Sequence, residues 1–328
     1  MGSCSDGVVS AIVEPSVRRT IVSAAAAILV LVIAPAALYR LGDPERHDLD
    51  EAVRQHTAGA FVRLSDGFTH YEIAGPPAAR VVVLAAGFSV PYYIWDPTFK
   101  ALTDAGFRAL RYDYYGRGFS DRPAGPYTHT LYVRQITELL DSLHIAGPVD
   151  LVGLSLGGAI VTTFADTFPD RVRSLIYIDP SFRTPGSLPA LADAPGLWDF
   201  AAAAVAERGW ADEQPGDFLH PERFPDWADR YRVQLQYRGF RRARLSELVA
   251  NAAVDQHDEI ERVGRHSRHV LVIWAKQDPS VPFESSGPLL EAMPHARLVA
   301  VDDSGHLPQW EQPAITHRAM IDFLRELK

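Results

Sequence analysis

An apolar run that leads through Gly-Leu-Ser-Leu-Gly into a helical pattern is the feature that most limits how this chain can fold. Residues 149–154 have the pattern of a buried strand, and residues 156–168 have that of a helix. A serine exposed on a tight turn between them, Ser155, needs flanking glycines because side chains there would crowd the backbone. The amides at the start of the helix point to where an oxyanion would form. The pattern therefore predicts Ser155 as a nucleophile, the alternative being a serine that only caps the helix.

Strand and helix patterns alternate from residue 60 to the end of the chain. An Asp-Gly pair at residues 66–67 joins the first two strands and is typical of a hairpin. The predicted strands are 60–65, 68–73, 81–85, 108–113, 149–154, 174–179, 269–275 and 297–301, and the main predicted helices are 131–144, 156–168 and 312–327. Such alternation predicts an α/β fold with a mostly parallel sheet and helices on both faces.

One region interrupts this alternation and predicts a helical cap at about residues 182–245. It has no strand pattern, and its aromatic residues stand among scattered prolines and charges. Those aromatic residues are Trp198, Trp210, Phe218, Phe224, Trp227, Tyr231 and Tyr237. They either line a pocket or form the core of the insertion itself. The domain prediction is an N-terminal segment at 1–19, a hydrophobic segment at 20–40, a linker with one short helix at 41–59, and a catalytic domain at 60–328.

The hydrophobic segment indicates membrane association or export. No charged residue occurs from Thr20 to Tyr39, and about 20 apolar residues can cross a hydrocarbon core. This fits a signal anchor. It also fits a secretory signal peptide with its apolar region at 21–33 and a cleavage site at the Ala-Pro-Ala of 34–36. An Ala-rich helix packed on the domain is a third interpretation. The first two predict a membrane-anchored or secreted protein, and the preference for Ala and Arg is associated with bacteria.

Charge and cysteine content exclude several classes of partner and site. The 328 residues carry a net charge of −9 without any block of Lys or Arg, which argues against a nucleic-acid partner. The single cysteine, Cys4, allows neither an intrachain disulfide nor a cysteine metal site.

A serine nucleophile needs a base, and the base needs an acid that orients it. His306 follows the last apolar strand in Asp-Ser-Gly-His, where a histidine can reach over the carboxyl edge of the sheet. Asp278 follows the strand before it, which gives the order serine, acid, histidine that the G-x-S-x-G pattern implies. Asp179 stands in the same way one strand earlier. We therefore predict Asp278 as the acid, with Asp179 as the alternative.

These residues resemble those of the α/β-hydrolase superfamily over about residues 60–328. Two further motifs carry the resemblance, Asp-Tyr-Tyr-Gly-Arg-Gly-Phe-Ser at 113–120 and the segment Trp274 to Pro282. They are similar to segments of the esterase, monoglyceride-lipase-like and C–C hydrolase branches. The resemblance implies an α/β-hydrolase fold and catalysis without a metal or an organic cofactor.

The resemblance also implies two oxyanion-hole donors, the backbone amides of Phe88 and Leu156. The family commonly has His-Gly after its third strand, whereas this chain has Ala-Ala-Gly-Phe at 85–88. The donor at Phe88 is a backbone N–H, so the missing histidine does not by itself remove the hole.

The resulting prediction is a serine hydrolase acting on a small-molecule carboxylic ester, with a lipid or acylglycerol ester suggested by the hydrophobic segment and the aromatic cap. A C–C bond hydrolase or a cofactor-free perhydrolase with the same triad is the alternative. A non-catalytic binding protein with the same fold is a further hypothesis. The sequence leaves the oligomeric state open.

Overall fold

The computed structural model describes residues 33–182, 207–252 and 254–327, together with isolated positions between residues 19 and 30. It divides into two units, Met1–Asp43 and Pro44–Lys328. In the first unit, helix α1 covers Ala34–Gly42. Part of the predicted hydrophobic segment at 20–40 lies outside the described residues. Within the part of the chain that is described, no helix combines the length and the apolar character needed to cross a membrane.

The second unit is built on one sheet of eight strands, which confirms the predicted α/β-hydrolase fold. Its strands are β1 Ala60–Leu64, β2 Gly67–Ala74, β3 Val81–Ala85, β4 Arg108–Tyr112, β5 Val149–Leu154, β6 Val172–Ile178, β7 His269–Ala275 and β8 Arg297–Val301. They lie in the order β1-β2-β4-β3-β5-β6-β7-β8. β2 is antiparallel to both β1 and β4, and all other pairs are parallel.

Helices follow most of the strands. Those of the second unit are α2 Glu51–His56, α3 Asp96–Asp104, α4 His129–Ser142, α5 Leu156–Thr167, α6 Glu207–Glu213, α7 Trp227–Leu235, α8 Phe240–Ala252, α9 His257–Gly264, α10 Ser286–Ala292, α11 Pro308–Glu311 and α12 Pro313–Glu326. The three main predicted helices are confirmed as α4, α5 and α12, whereas α3 has no predicted counterpart.

The strand order places two loops that are distant in sequence next to the same crevice. Every residue of β3 and β5 is buried, as expected for parallel strands covered on both faces. The chain leaves β3 toward β4 on one side and returns to β5 on the other. The loops after β3 and β5 therefore diverge around a crevice at the carboxyl edge of the sheet, where ligands bind in open α/β sheets.

Residues 44–59, which form most of the linker predicted at 41–59, contact the insertion and contain the expected short helix, α2. The backbone amide of His47 donates to Gln236 O at 2.9 Å, and Arg238 N donates to His47 O at 2.9 Å. The carboxylate of Glu45 accepts a hydrogen bond from Gly239 N at 2.8 Å. These contacts attach the segment to the region between α7 and α8.

The insertion between β6 and β7 is helical where it is described, through α6, α7 and α8. Residues 183–206, including the predicted aromatic Trp198, lie outside the described residues. The helical part continues to Ala252, beyond the predicted limit near residue 245.

Several described aromatic residues of the insertion pack in an aromatic core that also includes Trp310 of α11. Phe218 stacks on Phe224 at 4.2 Å between ring centroids, and Trp227 packs edge-on against Phe218 at 4.9 Å and against Trp310 at 5.1 Å. Trp210 is also buried. Of the two interpretations of these aromatics, a pocket lining or a separate core, the structure supports the core for the residues that it describes.

Candidate active site

Ser155 lies on a sharp turn between β5 and α5. Its backbone has φ 51° and ψ −120°, a conformation that costs a non-glycine residue about 1–3 kcal/mol and persists only where the surroundings impose it. Its amide donates to Ile178 O at 3.0 Å. A Cβ on Gly153 would lie 2.5 Å from Gly157 O, and one on Gly157 would lie 2.2 Å from Ala85 O. Both glycines are therefore required by close backbone contacts.

His306 and Asp278 are hydrogen-bonded to each other. His306 Nδ1 lies 2.7 Å from Asp278 Oδ2, and both side chains are almost fully buried. The second carboxylate oxygen, Asp278 Oδ1, accepts the amides of Ser280 at 2.7 Å and Val281 at 2.9 Å. Burial lowers the pKa of His306, but the hydrogen bond to Asp278 and its negative charge outweigh burial and raise that pKa to about 9.

Asp179, the alternative acid, lies in the same cluster but bonds elsewhere. Its Oδ1 accepts the Ala275 amide at 2.8 Å, and its Oδ2 has no hydrogen-bond partner among the described residues. Burial, followed by the charge of Asp278, raises the pKa of Asp179 well above its usual value. The structure thus brings His306 to Asp278, with Asp179 as a buried neighbour on which burial disfavours charge.

These three side chains are also the group of potential metal ligands found among the described residues. One donor atom from each of Asp179, Asp278 and His306 lies within 4.8 Å of the others. Two of the atoms in this cluster, His306 Nδ1 and Asp278 Oδ2, are already hydrogen-bonded to each other.

The two predicted oxyanion donors belong to segments that adjoin Ser155. Gly87, directly before Phe88, approaches the nucleophile so closely that a Cβ there would lie 3.4 Å from Ser155 Cβ. Leu156 is the first residue of α5, where an amide has no carbonyl to bond within its own helix. Both Phe88 and Leu156 line the same cavity as Ser155.

That cavity has a volume of about 420 Å³ and contains both Ser155 and His306 in its lining. The loop after β3 and the insertion form much of the remaining wall. Among the described residues, the lining contains neither Lys nor Arg, and Asp217 is its one acidic residue.

Part of the cavity wall is polar. His129 Nε2 lies 2.9 Å from Asn251 Oδ1, and Gln256 lies beside them. Burial lowers the pKa of His129, so this wall is polar but uncharged at neutral pH.

Comparison with known proteins decides the family. The model of the Alpha/beta hydrolase family matches residues 82–319. The chain belongs to the alpha/beta hydrolase family. It is 29% identical over 267 residues to the protein named "Putative carbamate hydrolase RutD" of Variovorax paradoxus, which covers 78% of this chain and 95% of that protein.

Two further similarities span most of this hydrolase. The 2-hydroxy-6-oxo-6-phenylhexa-2,4-dienoate hydrolase of Comamonas testosteroni is 29% identical over 281 residues, covering 80% of this chain and 93% of that protein. The crystal structure of the enol-lactonase from Burkholderia xenovorans LB400 has a TM-score of 0.70 and 25% identity, covering 81% of this chain and all of that one.

Glu311, which the sequence patterns did not single out, fixes the loop that carries His306 in this hydrolase. Its buried carboxylate accepts Gly305 N at 2.6 Å, and it also accepts the amides of Leu219 at 3.2 Å and His220 at 2.8 Å in the insertion. One side chain thus holds the histidine loop and the insertion together. No local motif marks it, and its two partners in the insertion are distant in sequence.

Asp217 is a second residue that the sequence patterns missed. Its carbonyl oxygen accepts the His306 amide at 2.7 Å, and its carboxylate accepts Ser280 Oγ at 2.8 Å. The insertion therefore contacts the loops of both His306 and Asp278.

The motif at 113–120 organises the loop after β3. Asp113 Oδ1 accepts Tyr92 N at 2.7 Å, and Asp113 Oδ2 accepts Phe119 N at 2.9 Å and lies 2.7 Å from His70 Nδ1. Ser120 Oγ donates to Asp113 O at 2.7 Å. The motif supports the site structurally and lies outside the lining of its cavity.

Proposed function

We propose that this hydrolase cleaves carboxylic esters through an acyl-enzyme, with Ser155 as nucleophile, His306 as base and Asp278 as the acid that orients the base. One observation carries the proposal. Ser155, with its strained backbone, and His306 line one cavity, and His306 is hydrogen-bonded to Asp278 behind it. Nucleophile, base and orienting acid are the groups that acyl transfer requires.

In the proposed reaction, Ser155 Oγ attacks the ester carbonyl carbon while His306 takes its proton. The amides of Phe88 and Leu156 donate hydrogen bonds to the resulting oxyanion. The intermediate collapses, the C–O bond breaks, and His306 protonates the leaving alcohol. Water then attacks the acyl-enzyme with His306 as base, and the acid is released as Ser155 regains its proton.

The charge of the cavity supports an uncharged substrate. The dienoate hydrolase of Comamonas testosteroni is named for a carboxylate substrate, and proteins commonly bind carboxylates through Arg or Lys. The described lining of this cavity has neither. We therefore propose a neutral ester, with hydrolysis of a C–C bond in a charged dienoate as the rival activity.

The size of the cavity supports a short acyl chain. A volume of about 420 Å³ lies toward the lower end of the roughly 300–1,000 Å³ range of small-molecule sites. Of the aromatic residues described in the insertion, Phe182 lines the cavity, and those from Trp210 to Tyr237 do not, which weakens one argument for a lipid ester.

The test compares the full-length chain with Ser155→Ala and with Ser142→Ala, a serine in the last turn of α4. Each protein is assayed with p-nitrophenyl esters from acetate to palmitate, with a fluorophosphonate probe and with 2-hydroxy-6-oxo-6-phenylhexa-2,4-dienoate. We expect the wild type and Ser142→Ala to hydrolyse short esters and to be labelled, and Ser155→Ala to do neither. Faster turnover of the dienoate than of any ester would favour the rival activity. A folded wild type that neither turns over an ester nor is labelled would contradict the proposal.

A further inference from the structure

Ser89, directly after the proposed oxyanion donor Phe88, has an unusual backbone conformation. It is buried and has φ 64°. Residues other than glycine adopt the left-handed region infrequently, and such strain persists only where surrounding contacts impose it. The contacts that impose it on Ser89 therefore also fix the neighbouring Phe88 amide.

Two of those contacts come from one helix of the insertion, α7. The Tyr231 hydroxyl donates to Ser89 Oγ at 3.0 Å, and Gln234 Nε2 donates to Ser89 O at 2.9 Å. Both side chains are buried. Tyr231 and Gln234 lie three residues apart, on the same face of the helix, so α7 binds the side chain and the backbone of Ser89 together.

Gln234 makes a second bond that fixes the direction of its amide group. Its Oε1 accepts Gly118 N at 3.0 Å, so the oxygen faces a donor while the nitrogen faces the carbonyl of Ser89. Turning the amide over would break both hydrogen bonds. Gln234 thus connects the loop after β3 to the motif at 113–120.

The side chain of Phe88 is also held, between the insertion and the loop at 113–120. The guanidinium of Arg244, on α8, lies 5.2 Å from the centre of the Phe88 ring, and that of Arg117 lies 5.7 Å from it. Arg117 belongs to the loop at 113–120, and Arg244 belongs to the insertion. The Phe88 ring and the backbone of the loop after β3 therefore both depend on contacts with the insertion.

We propose that Gln234 and Tyr231 are positioning residues that hold the Phe88 amide where it can bond the oxyanion. The inference rests on the proposed function, in which that amide is an oxyanion donor. This role makes the insertion part of the catalytic apparatus, because α7 must contact Ser89 for the oxyanion hole to be complete. Oxyanion donors act at about 2.7–3.1 Å from the developing charge, so a small shift of the loop weakens binding of the transition state more than binding of the ester.

The experiment compares Gln234→Met and Tyr231→Phe with the wild type in the full-length chain. Ser246→Ala is the matched control, because Ser246 Oγ, on α8, accepts Tyr127 N at 3.1 Å and does not contact Ser89. Each protein is assayed for kcat and KM with a p-nitrophenyl ester, for inhibition by an alkyl trifluoromethyl ketone, and for its thermal unfolding midpoint. The ketone forms a tetrahedral adduct with a serine nucleophile and places an oxyanion in the hole.

We expect kcat to fall about 10- to 100-fold in the two variants, less than the roughly 10²- to 10³-fold cost of deleting a donor. The inhibition constant of the ketone should rise by a similar factor while KM changes little. The control should match the wild type in all three quantities. Activity is expressed per fluorophosphonate-reactive site, so that a loss of folded protein is not counted as a loss of rate.

The possible outcomes separate this inference from the proposed function. An active wild type whose two variants equal Ser246→Ala in kcat and ketone inhibition would overturn the inference and leave the proposed function intact. Variants that only unfold at lower temperature, with normal kcat per reactive site, would overturn it too. If Gln234→Met does not fold, Tyr231→Phe, which loses one hydroxyl, decides alone. A wild type inert toward both ester and fluorophosphonate would contradict the proposed function and this inference with it.

Discussion

The imidazole Nδ1 of His306 lies 2.7 Å from Asp278 Oδ2, although a second buried carboxyl group, that of Asp179, belongs to the same cluster. The surroundings of the two carboxyl groups differ. Asp278 accepts two backbone amides in addition to the imidazole, whereas Asp179 accepts one amide and has a strongly raised pKa. Burial thus disfavours charge on Asp179, while Asp278 is the carboxyl group that bonds the imidazole.

We expect matched amide substitutions at the two acids to differ sharply. Asp278→Asn keeps the shape but loses the charge and the acceptor that orient His306, and the same change in a Ser-His-Asp protease lowers kcat about 10⁴-fold. Asp179→Asn replaces a carboxyl group that does not bond His306 by an amide that can still accept the Ala275 amide, so kcat should stay within a few-fold. Steady-state kinetics on both variants measure this, and a larger loss from Asp179→Asn would reverse the assignment.

The pH dependence follows from the raised pKa of His306, about 9. The base must be neutral to accept a proton, so kcat/KM should rise roughly tenfold per pH unit from pH 6 to 8 and level off near pH 9. Asp278→Asn should move the inflection to lower pH, since the charge that raises the pKa is removed. A pH–rate profile of the wild type that is flat between pH 7 and 9 would contradict this.

The same shift predicts how stability depends on pH. The pKa of His306 is higher in the folded chain than the value of about 6.5 expected for an unfolded one. The protonated side chain therefore stabilises the folded state fully below pH 6.5, and this contribution is lost as the pH rises toward 9. Urea unfolding of the wild type and of His306→Gln at pH 6 and pH 9 measures it. The wild type should lose more stability between the two pH values than the variant, and equal losses would exclude the effect.

The sequence was sufficient to predict the triad candidates, because each of them stands in a local sequence pattern. Ser155 lies between two glycines at the end of an apolar strand, and His306 and Asp278 each follow such a strand. Parallel strands bring their carboxyl ends to one edge, so local patterns and chain order predict which residues could meet. The choice between Asp278 and Asp179 needed the three-dimensional direction of the His306 ring.

The contacts of the insertion could not be predicted in this way. Gln234 bonds to Ser89 and Gly118, and Glu311 bonds to two residues of the insertion, all of them distant in sequence. Neither residue belongs to a periodic or motif pattern. Composition also does not distinguish a cavity wall from a core. Trp227 and Phe218 would be aromatic in a cavity wall or in a core. Only the packing of Trp227 on Phe218 and on Trp310 shows that they belong to a core.

Glu311→Gln should impair catalysis although Glu311 lies outside the cavity lining. The carboxylate accepts amides from Gly305 and from two residues of the insertion, and a carboxamide would turn an N–H toward at least one of these donors. We expect a loss of about 1–3 kcal/mol in unfolding free energy, the usual cost of an unsatisfied buried group, and a lower kcat. Glu222→Gln, at an exposed glutamate, is the control. Kinetics and urea unfolding equal in both variants would argue against this role.

The buried pair of Arg117 and Glu247 should matter far more for stability than an exposed pair does. Both side chains are fully buried, and Glu247 also accepts the Tyr132 hydroxyl, so the pair joins α8 to the loop at 113–120 and to α4. Glu247→Ala leaves an unpaired guanidinium in the interior, and breaking such a pair costs about 3–5 kcal/mol.

The exposed pair of Arg297 and Glu326, at 2.5 Å, provides the matched comparison. Glu326→Ala should change the unfolding free energy by no more than about 1 kcal/mol, because solvent screens both charges. Urea unfolding followed by tryptophan fluorescence measures both variants. Replacing both buried partners, as in Arg117→Met with Glu247→Leu, should recover much of the loss, since an apolar pair leaves no unpaired charge. If Glu247→Ala and Glu326→Ala had equal effects, the buried pair would not be what holds α8 to the catalytic core.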